Sequence, residues 1–196
     1  KDIFLRELVS NACDAISKLD KLASMGEASM PESCRVEIRA NKSENTLTVS
    51  DNGLGMTADE VRKYINQVAF SGAYDFLEKY ENQADGKDII GHFGLGFYSA
   101  FMVAEKVVIQ TKSYQPGAEA VRWESDGSSE YELSSGSRIQ PGTDIILYID
   151  EDSREFLEEP RLRSVLTKYC SFLPRPVFLC GEKEEQINDC SPLWLK

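Results

Sequence analysis

From Ile3 to about Ser24 the chain contains neither proline nor glycine, and Phe4, Leu5, Leu8, Val9, Ala12, Ala15, Ile16 and Leu19 recur at helical spacing. Such a pattern demands an amphipathic helix of roughly five or six turns, with an apolar stripe that the rest of the fold must cover. Met25-Gly26-Glu27 ends it, and the periodicity then changes from helical to alternating. Arg35-Val36-Glu37-Ile38-Arg39 and Thr46-Leu47-Thr48-Val49-Ser50, joined across Asn41 to Asn45, predict a hairpin with one buried face.

Further along, Thr57-Ala58-Asp59-Glu60 has the spacing of a capping box and opens a predicted helix through Val61, Tyr64, Ile65 and Val68. A short helix is expected from Tyr74 to Tyr80. Gly91-His92-Phe93-Gly94-Leu95-Gly96 reads as a loop leading into a buried helix from Phe97 to Ala104. Strands are predicted at Val107 to Ile109, Val121 to Trp123, Tyr131 to Leu133 and Asp144 to Ile149, with turns at Pro116-Gly117, Asp126-Gly127 and Pro141-Gly142. A helix at Pro160 to Tyr169 and a strand at Val177 to Leu179 complete the series. Beyond Gly181 the chain reads as a polar linker, with Pro192-Leu193-Trp194 opening a further module. Helices interleaved with antiparallel hairpins indicate an α+β fold instead of a βαβ array.

Charge narrows the function classes. The 196 residues carry 22 Lys+Arg against 33 Asp+Glu, a net charge of −11, with no basic cluster of the kind that duplex binding needs. No window reaches the roughly eighteen apolar residues of a membrane span. The five cysteines are odd in number and lack a C-x-x-C pair, and His92 is the only histidine, so the residues favour free thiols in a reducing cytosol over a disulfide framework or structural zinc. A nucleotide partner is compatible with the charge, because main-chain amides can hold phosphates.

Four constellations could carry chemistry. On the first helix Glu7, Asn11, Asp14 and Lys18 fall on one stripe, which is either a solvated face or a site where the Asn11 amide meets a hard cation and a carboxylate orients water. Asp51-Asn52-Gly53-Leu54-Gly55-Met56 stands between a strand and a helix; it is a tight turn or a place where a strand-end carboxylate accepts from an exocyclic amine. Its neighbours lack the ligand pattern of a calcium loop. Gly91-x-x-Gly94-x-Gly96 precedes a helix and is a connector or an anion-holding lid. It is not a Walker A motif, since Phe97-Tyr98 stand where Lys and Ser/Thr are required. Gly142-Thr143-Asp144 alone is a hairpin turn.

The order of these four resembles the GHKL ATPases, which include DNA gyrase, MutL, sensor histidine kinases and the heat-shock protein 90 chaperones. The strings Ile3-Phe4-Leu5-Arg6-Glu7-Leu8-Val9-Ser10-Asn11-Ala12-Cys13-Asp14-Ala15 and Ile90-Gly91-His92-Phe93-Gly94-Leu95-Gly96-Phe97-Tyr98-Ser99-Ala100-Phe101 are similar to the heat-shock protein 90 family. The resemblance implies a two-layer α/β sandwich, a mostly antiparallel sheet with helices on one face. It implies that Glu7 orients the attacking water, that Asn11 holds Mg2+, and that Asp51 accepts from the adenine amine of ATP or ADP. Asp14 and Ala15 belong to its nucleotide-binding set. Gly55 and Met56 wall the base and Thr143 supports it through water, while Gly94, Gly96 and Phe97 lie at the phosphates, with residues 73–102 as a lid. Two positions depart from the family: Phe70 replaces a lysine in Val68-Ala69-Phe70-Ser71-Gly72, and His92 replaces a glutamine.

On the same ground residues 1–180 are expected to be an N-terminal ATP-binding domain lacking the family's first strand and helix, and residues 181–196 a linker and the start of a middle domain. The implied function is a slow, Mg2+-dependent ATPase of a cytoplasmic folding chaperone. Its implied partners are client proteins, co-chaperones and a second copy of the full-length protein, and not nucleic acid or a membrane. The alternative is another GHKL ATPase, a histidine kinase catalytic domain or a DNA topoisomerase or mismatch-repair ATPase.

Overall fold

The structure, a computed structural model, describes residues 1–66 and 93–191. The expected short helix at 74–80, Val68, Phe70, Gly91, His92, most of the lid and Pro192-Leu193-Trp194 lie outside the described residues.

The long helix forms where its stripe requires, as α1 (Ile3–Ser24), and buries Phe4, Leu5, Leu8, Val9, Ala12, Cys13, Ile16 and Leu19. Those side chains are covered by a sheet and by a second helix. The strands are β1 (Val36–Asn41), β2 (Thr46–Asp51), β3 (Ala104–Lys112), β4 (Val121–Ser125), β5 (Glu132–Ser135), β6 (Gly142–Ile149), β7 (Val177–Cys180) and β8 (Glu184–Gln186). Among the described residues they make one sheet in the order β5-β4-β3-β6-β2-β1-β7-β8, antiparallel throughout except for β1 beside β7. Helix α1 packs on β2 and β1 and against α4 (Glu159–Cys170), so the fold is the expected mostly antiparallel α+β sandwich. Phe4 meets Phe156 edge-on at 5.0 Å, which ties α1 to a 3-10 segment, Glu151–Leu157, between β6 and α4.

The capping box at Thr57 is complete: Thr57 Oγ1 accepts from the Glu60 N–H, and Glu60 accepts from the Thr57 N–H at 2.8 Å. The segment it opens is helical at every described position, and its last predicted residue, Val68, lies outside the described residues. Regular α2 (Ala58–Val61) passes into a π-helical stretch, Arg62–Asn66, where the Tyr98 hydroxyl donates to the Ile65 carbonyl at 2.9 Å. The helix expected from Phe97 to Ala104 begins earlier and ends sooner. It is α3 (Phe93–Tyr98), followed by a 3-10 turn, Ser99–Met102, and by Ala104 already paired with Ile149 in the sheet. Gly94 and Gly96 are therefore inside a helix and not in a loop before it. Tertiary packing overrides the weak helix propensity of glycine here, because the Phe97 ring is buried edge-on against Trp123 at 5.6 Å.

The stretch from Gly181, expected to be a linker, contributes β8 and a buried anchor. Asn188, 5% exposed, accepts from the Val177 N–H at 2.8 Å and donates to the carbonyls of Leu173 and Arg175 at 2.8 and 2.7 Å. Asn188→Ala leaves a buried donor and two acceptors without partners, so a loss of about 2–3 kcal/mol is expected in urea unfolding. A loss below about 0.5 kcal/mol would show that this tail is not part of the folded unit. All five cysteines are unpaired, and burial pushes the Cys13 and Cys170 thiols up to about 12, which leaves them neutral and inert.

Candidate functional site

Strand register, read across the sheet, locates the unusual chemistry. Leu179, Ile38, Val49, Ile145, Ile109 and Trp123 stand opposite one another on successive strands and form an apolar row under the helices. The adjacent row on the same face is Val177, Val36, Asp51, Thr143, Thr111 and Val121. All six are buried, and the central three are polar. A polar gap in the middle of a hydrophobic face costs stability unless its groups are paired, and these are held in a defined pattern.

Asp51, 7% exposed, accepts from the Gly53 N–H at 2.8 Å. The Thr111 and Thr143 hydroxyls are 2.9 Å apart, and Thr111 also accepts from the Met56 N–H at 3.0 Å and donates to the Gly142 carbonyl at 3.1 Å. Desolvation raises the Asp51 carboxyl from its ordinary 3.8 to about 7, against the lowering effects of the Gly53 N–H and the charge of Arg138. A carboxylate so placed is poised between ionised and neutral, with main-chain hydrogen bonds from Gly53 and Thr143 favouring the ionised form.

The loop after β2 is pinned at both ends. The Leu54 N–H donates to the Ala15 carbonyl on α1 at 3.3 Å, and the Tyr114 N–H to the Leu54 carbonyl at 2.8 Å. The loop thereby walls a cavity of about 50 Å³ whose lining includes Asp51, Gly55, Met56, Thr143, Asn11 and Ala15. Such a space beside Asp51 holds on the order of one or two waters. A larger groove of about 1010 Å³, between the Gly26–Glu32 loop and Tyr114, Pro116 and Pro141, gathers none of the predicted site residues. The chemistry favours the small cavity, where buried polar groups converge.

Six of the predicted site residues, Asn11, Ala15, Asp51, Gly55, Met56 and Thr143, thus line the cavity, and others are set apart. Asp14 is exposed and absent from the lining, whereas Lys18, one turn on, lines it. Glu7 stands two turns from Ala15 on the same helix. Its Oε1 accepts from Arg6 at 2.8 Å, and its Oε2 lies 2.7 Å from where a side-chain carbon on Gly96 would be. That close approach places Glu7 against α3, with only a hydrogen at Gly96 between them. The Phe97 side chain is in the core, so any contact it makes with a ligand in the cleft is through its main chain.

Thr111 was not among the predicted residues. Its signal was the alternation of Val107, Ile109 and Thr111, which puts a hydroxyl on the apolar face opposite Thr143 once the register is known. Among the described residues a set of metal-ligating atoms also occurs at Glu37, Cys180 and Glu184, but Arg35 and Arg39 already hold the Glu37 carboxylate at 2.9 and 2.7 Å. That set is an ion-pair cluster spanning β1, β7 and β8.

Residues 3–141 match the family described as histidine kinase-, DNA gyrase B-, and HSP90-like ATPase. A chaperone protein HtpG of Bacteroides fragilis is 54% identical over all of this chain and 30% of its own length. One from Porphyromonas gingivalis is 48% identical, again over the whole chain and 30% of the relative. The mitochondrial heat shock protein 75 kDa of Bos taurus is 41% identical over the whole chain and 27% of its length. The chain spans about 30% of the length of these curated relatives. By the match over most of its length, it belongs to the histidine kinase-, DNA gyrase B- and HSP90-like ATPase family.

Proposed function

We propose that this chain is the nucleotide-binding domain of an HSP90-type folding chaperone and that it binds and slowly hydrolyses ATP. The observation that carries the reading is the buried Asp51 carboxylate at the centre of the sheet face, walled by Gly55 and Met56 and flanked by Thr143. An exocyclic amine adds a donor to this carboxylate, and a water on Thr143 completes the contacts of the base. Ala15 and Asn11 border the same space from α1. The Asn11 amide oxygen is a neutral hard donor, which suits Mg2+ when phosphate oxygens and water fill its other positions. Bound there, the ion neutralises phosphate charge, which the chain at −11 does little to do with its own cations.

Glu7 stays near the cavity but outside its lining, on the side of α3, and in this reading it orients the attacking water. Gly94, Gly96 and Phe97 offer main-chain groups to the phosphates. Asp14 is the weakest member of the set because its side chain faces solvent. We assign the longer protein client polypeptides, co-chaperones and a second copy of itself as partners, and a cytoplasmic location consistent with five unpaired thiols. The chaperone names of the similar proteins favour this over a kinase or DNA-topology role.

Titration calorimetry with ADP and with inosine diphosphate tests the base contact. Inosine carries an oxo group in place of the amine, so ADP is expected to bind about 100-fold more tightly in the presence of Mg2+. Equal affinities would overturn the assignment of Asp51. In the intact protein Glu7→Ala is expected to keep ADP affinity within about twofold and to lower turnover by about 100-fold or more.

A further inference from the structure

The segment before β6 carries one cation aimed at the site from behind. Arg138, with its side chain 15% exposed, donates from Nη2 to the main-chain carbonyl of Asp51 at 2.8 Å and to that of Pro141 at 3.3 Å. Its Nε donates to the Gln140 carbonyl at 3.0 Å, and its Nη1 to the Asp144 carboxylate. Asp144 also accepts from the Ser50 hydroxyl. Ser50 and Asp144 are a cross-strand pair, one step from the Asp51 and Thr143 pair, so they project to the opposite face of the sheet. The guanidinium therefore closes the end of the β2–β6 ladder from the side away from the cavity.

Space for that contact exists only because residue 142 is glycine. It has φ +135°, and a side-chain carbon there would stand 2.2 Å from the Asp51 carbonyl oxygen and 2.3 Å from Arg138 Nη2. A planar fork with several donors spent on three carbonyls and a carboxylate is a rigid brace, not a surface ion pair.

We infer that Arg138 is a positioning residue for nucleotide recognition, bracing the last peptide of β2 so that the Asp51 carboxylate is held toward the cavity. The inference rests on Asp51 being the acceptor for the adenine amine. Electrostatics act in the same sense. The charged and titratable groups around Asp51 are Arg138 and Asp144 on the β6 side and Cys13 and Lys18 on α1; the Cys13 thiol is neutral. Arg138 favours the ionised carboxylate and Asp144 opposes it, so the two members of one ion pair push Asp51 in opposite directions. Only the ionised form is the full acceptor that an amine needs, and ADP affinity is expected to fall as pH drops through the Asp51 titration.

The test is ADP titration calorimetry between pH 5.5 and 8.5 (about three pH units around the Asp51 value) on the whole chain and on Arg138→Met, Arg138→Lys, Asp144→Asn and Asp51→Asn. Arg138→Met is expected to weaken ADP about tenfold at pH 7 and to move the midpoint of the pH profile upward by about one unit. Arg138→Lys restores the midpoint through its charge but not the full affinity, because a point charge cannot brace three carbonyls. Asp144→Asn moves the midpoint downward. General loosening of the strand ends shifts both variants the same way, and that result would overturn the inference. So would wild-type affinity and midpoint in Arg138→Met alongside loss of binding in Asp51→Asn, an outcome that leaves the Asp51 assignment standing. Wild-type binding by Asp51→Asn would remove both. If Arg138→Met does not fold, Arg138→Lys, with the wild-type midpoint but weakened affinity, and Asp144→Asn, with a lowered midpoint, still decide.

Discussion

Asp51→Asn is expected to weaken ADP binding by about 100-fold and, in the same protein, to raise the melting temperature of the nucleotide-free chain at pH 8. The two effects have one origin. Burial holds the Asp51 carboxyl at about 7 in the folded chain against 3.8 as its ordinary value. Between those values the folded state binds more protons than the unfolded state, so this group makes stability fall as pH rises from about 4 to 7. At pH 8 the folded chain carries a desolvated carboxylate that Asn replaces with a neutral amide, whose oxygen can keep the Gly53 N–H bond. The gain is of the order of 2 kcal/mol, or a rise of roughly 4–8 °C, and it shrinks toward zero near pH 4. Thermal melts of both proteins at pH 5 and pH 8 check it. A difference in melting temperature that does not change with pH would mean that the buried charge is not its cause.

Gly55→Ala has the largest expected cost in stability. Gly55 has φ +62°, and a side-chain carbon there would stand 1.8 Å from the Lys112 carbonyl oxygen and 3.1 Å from that of Gly142. Both are main-chain atoms of neighbouring strands, so relief requires moving the ends of β3 and β6 together. The left-handed conformation alone costs about 1–2 kcal/mol, and the collision brings the expected loss to about 3 kcal/mol or more, a fall of roughly 10 °C. Gly117→Ala is the natural control. It has φ +75° with nothing within 4 Å, and only the conformational part is expected. Equal losses from the two substitutions, measured by urea unfolding, would show that the contact with Lys112 does not matter.

How much of this was legible in the sequence depends on whether a residue's role is local. The α1 stripe, the hairpin of β1 and β2 and the capping box at Thr57 are written in neighbouring residues, and each forms as read. Strand β8 was missed because Glu184-Glu185-Gln186 is exposed throughout and shows no alternation; it is a strand only because β7 offers it an edge. The early start of α3 was missed for the opposite reason, since Gly94 and Gly96 argue locally against a helix that the Phe97 contacts impose. In the site, Asp51, Met56 and Thr143 stood in recognisable motifs, whereas Thr111 and Arg138 acquire their roles only through pairing across the sheet. A threonine in a β-branched strand and an arginine in a polar loop carry no local mark of what they touch.

The six-strand row containing Asp51 also makes ligand recognition a reader of folding fidelity. A shift of β2 by a single residue against β6 would turn Asp51 outward and bring Ser50 and Asn52 under the helices, while leaving most main-chain hydrogen bonds available. The shifted sheet could look nearly native to a probe of secondary structure. It would offer the amine of a nucleotide no carboxylate, so the nucleotide would stabilise only the chain with correctly paired strands, by an amount that grows with its concentration. Under the proposed function, adenine nucleotide would thus select among strand pairings, favouring the native one over its near neighbours.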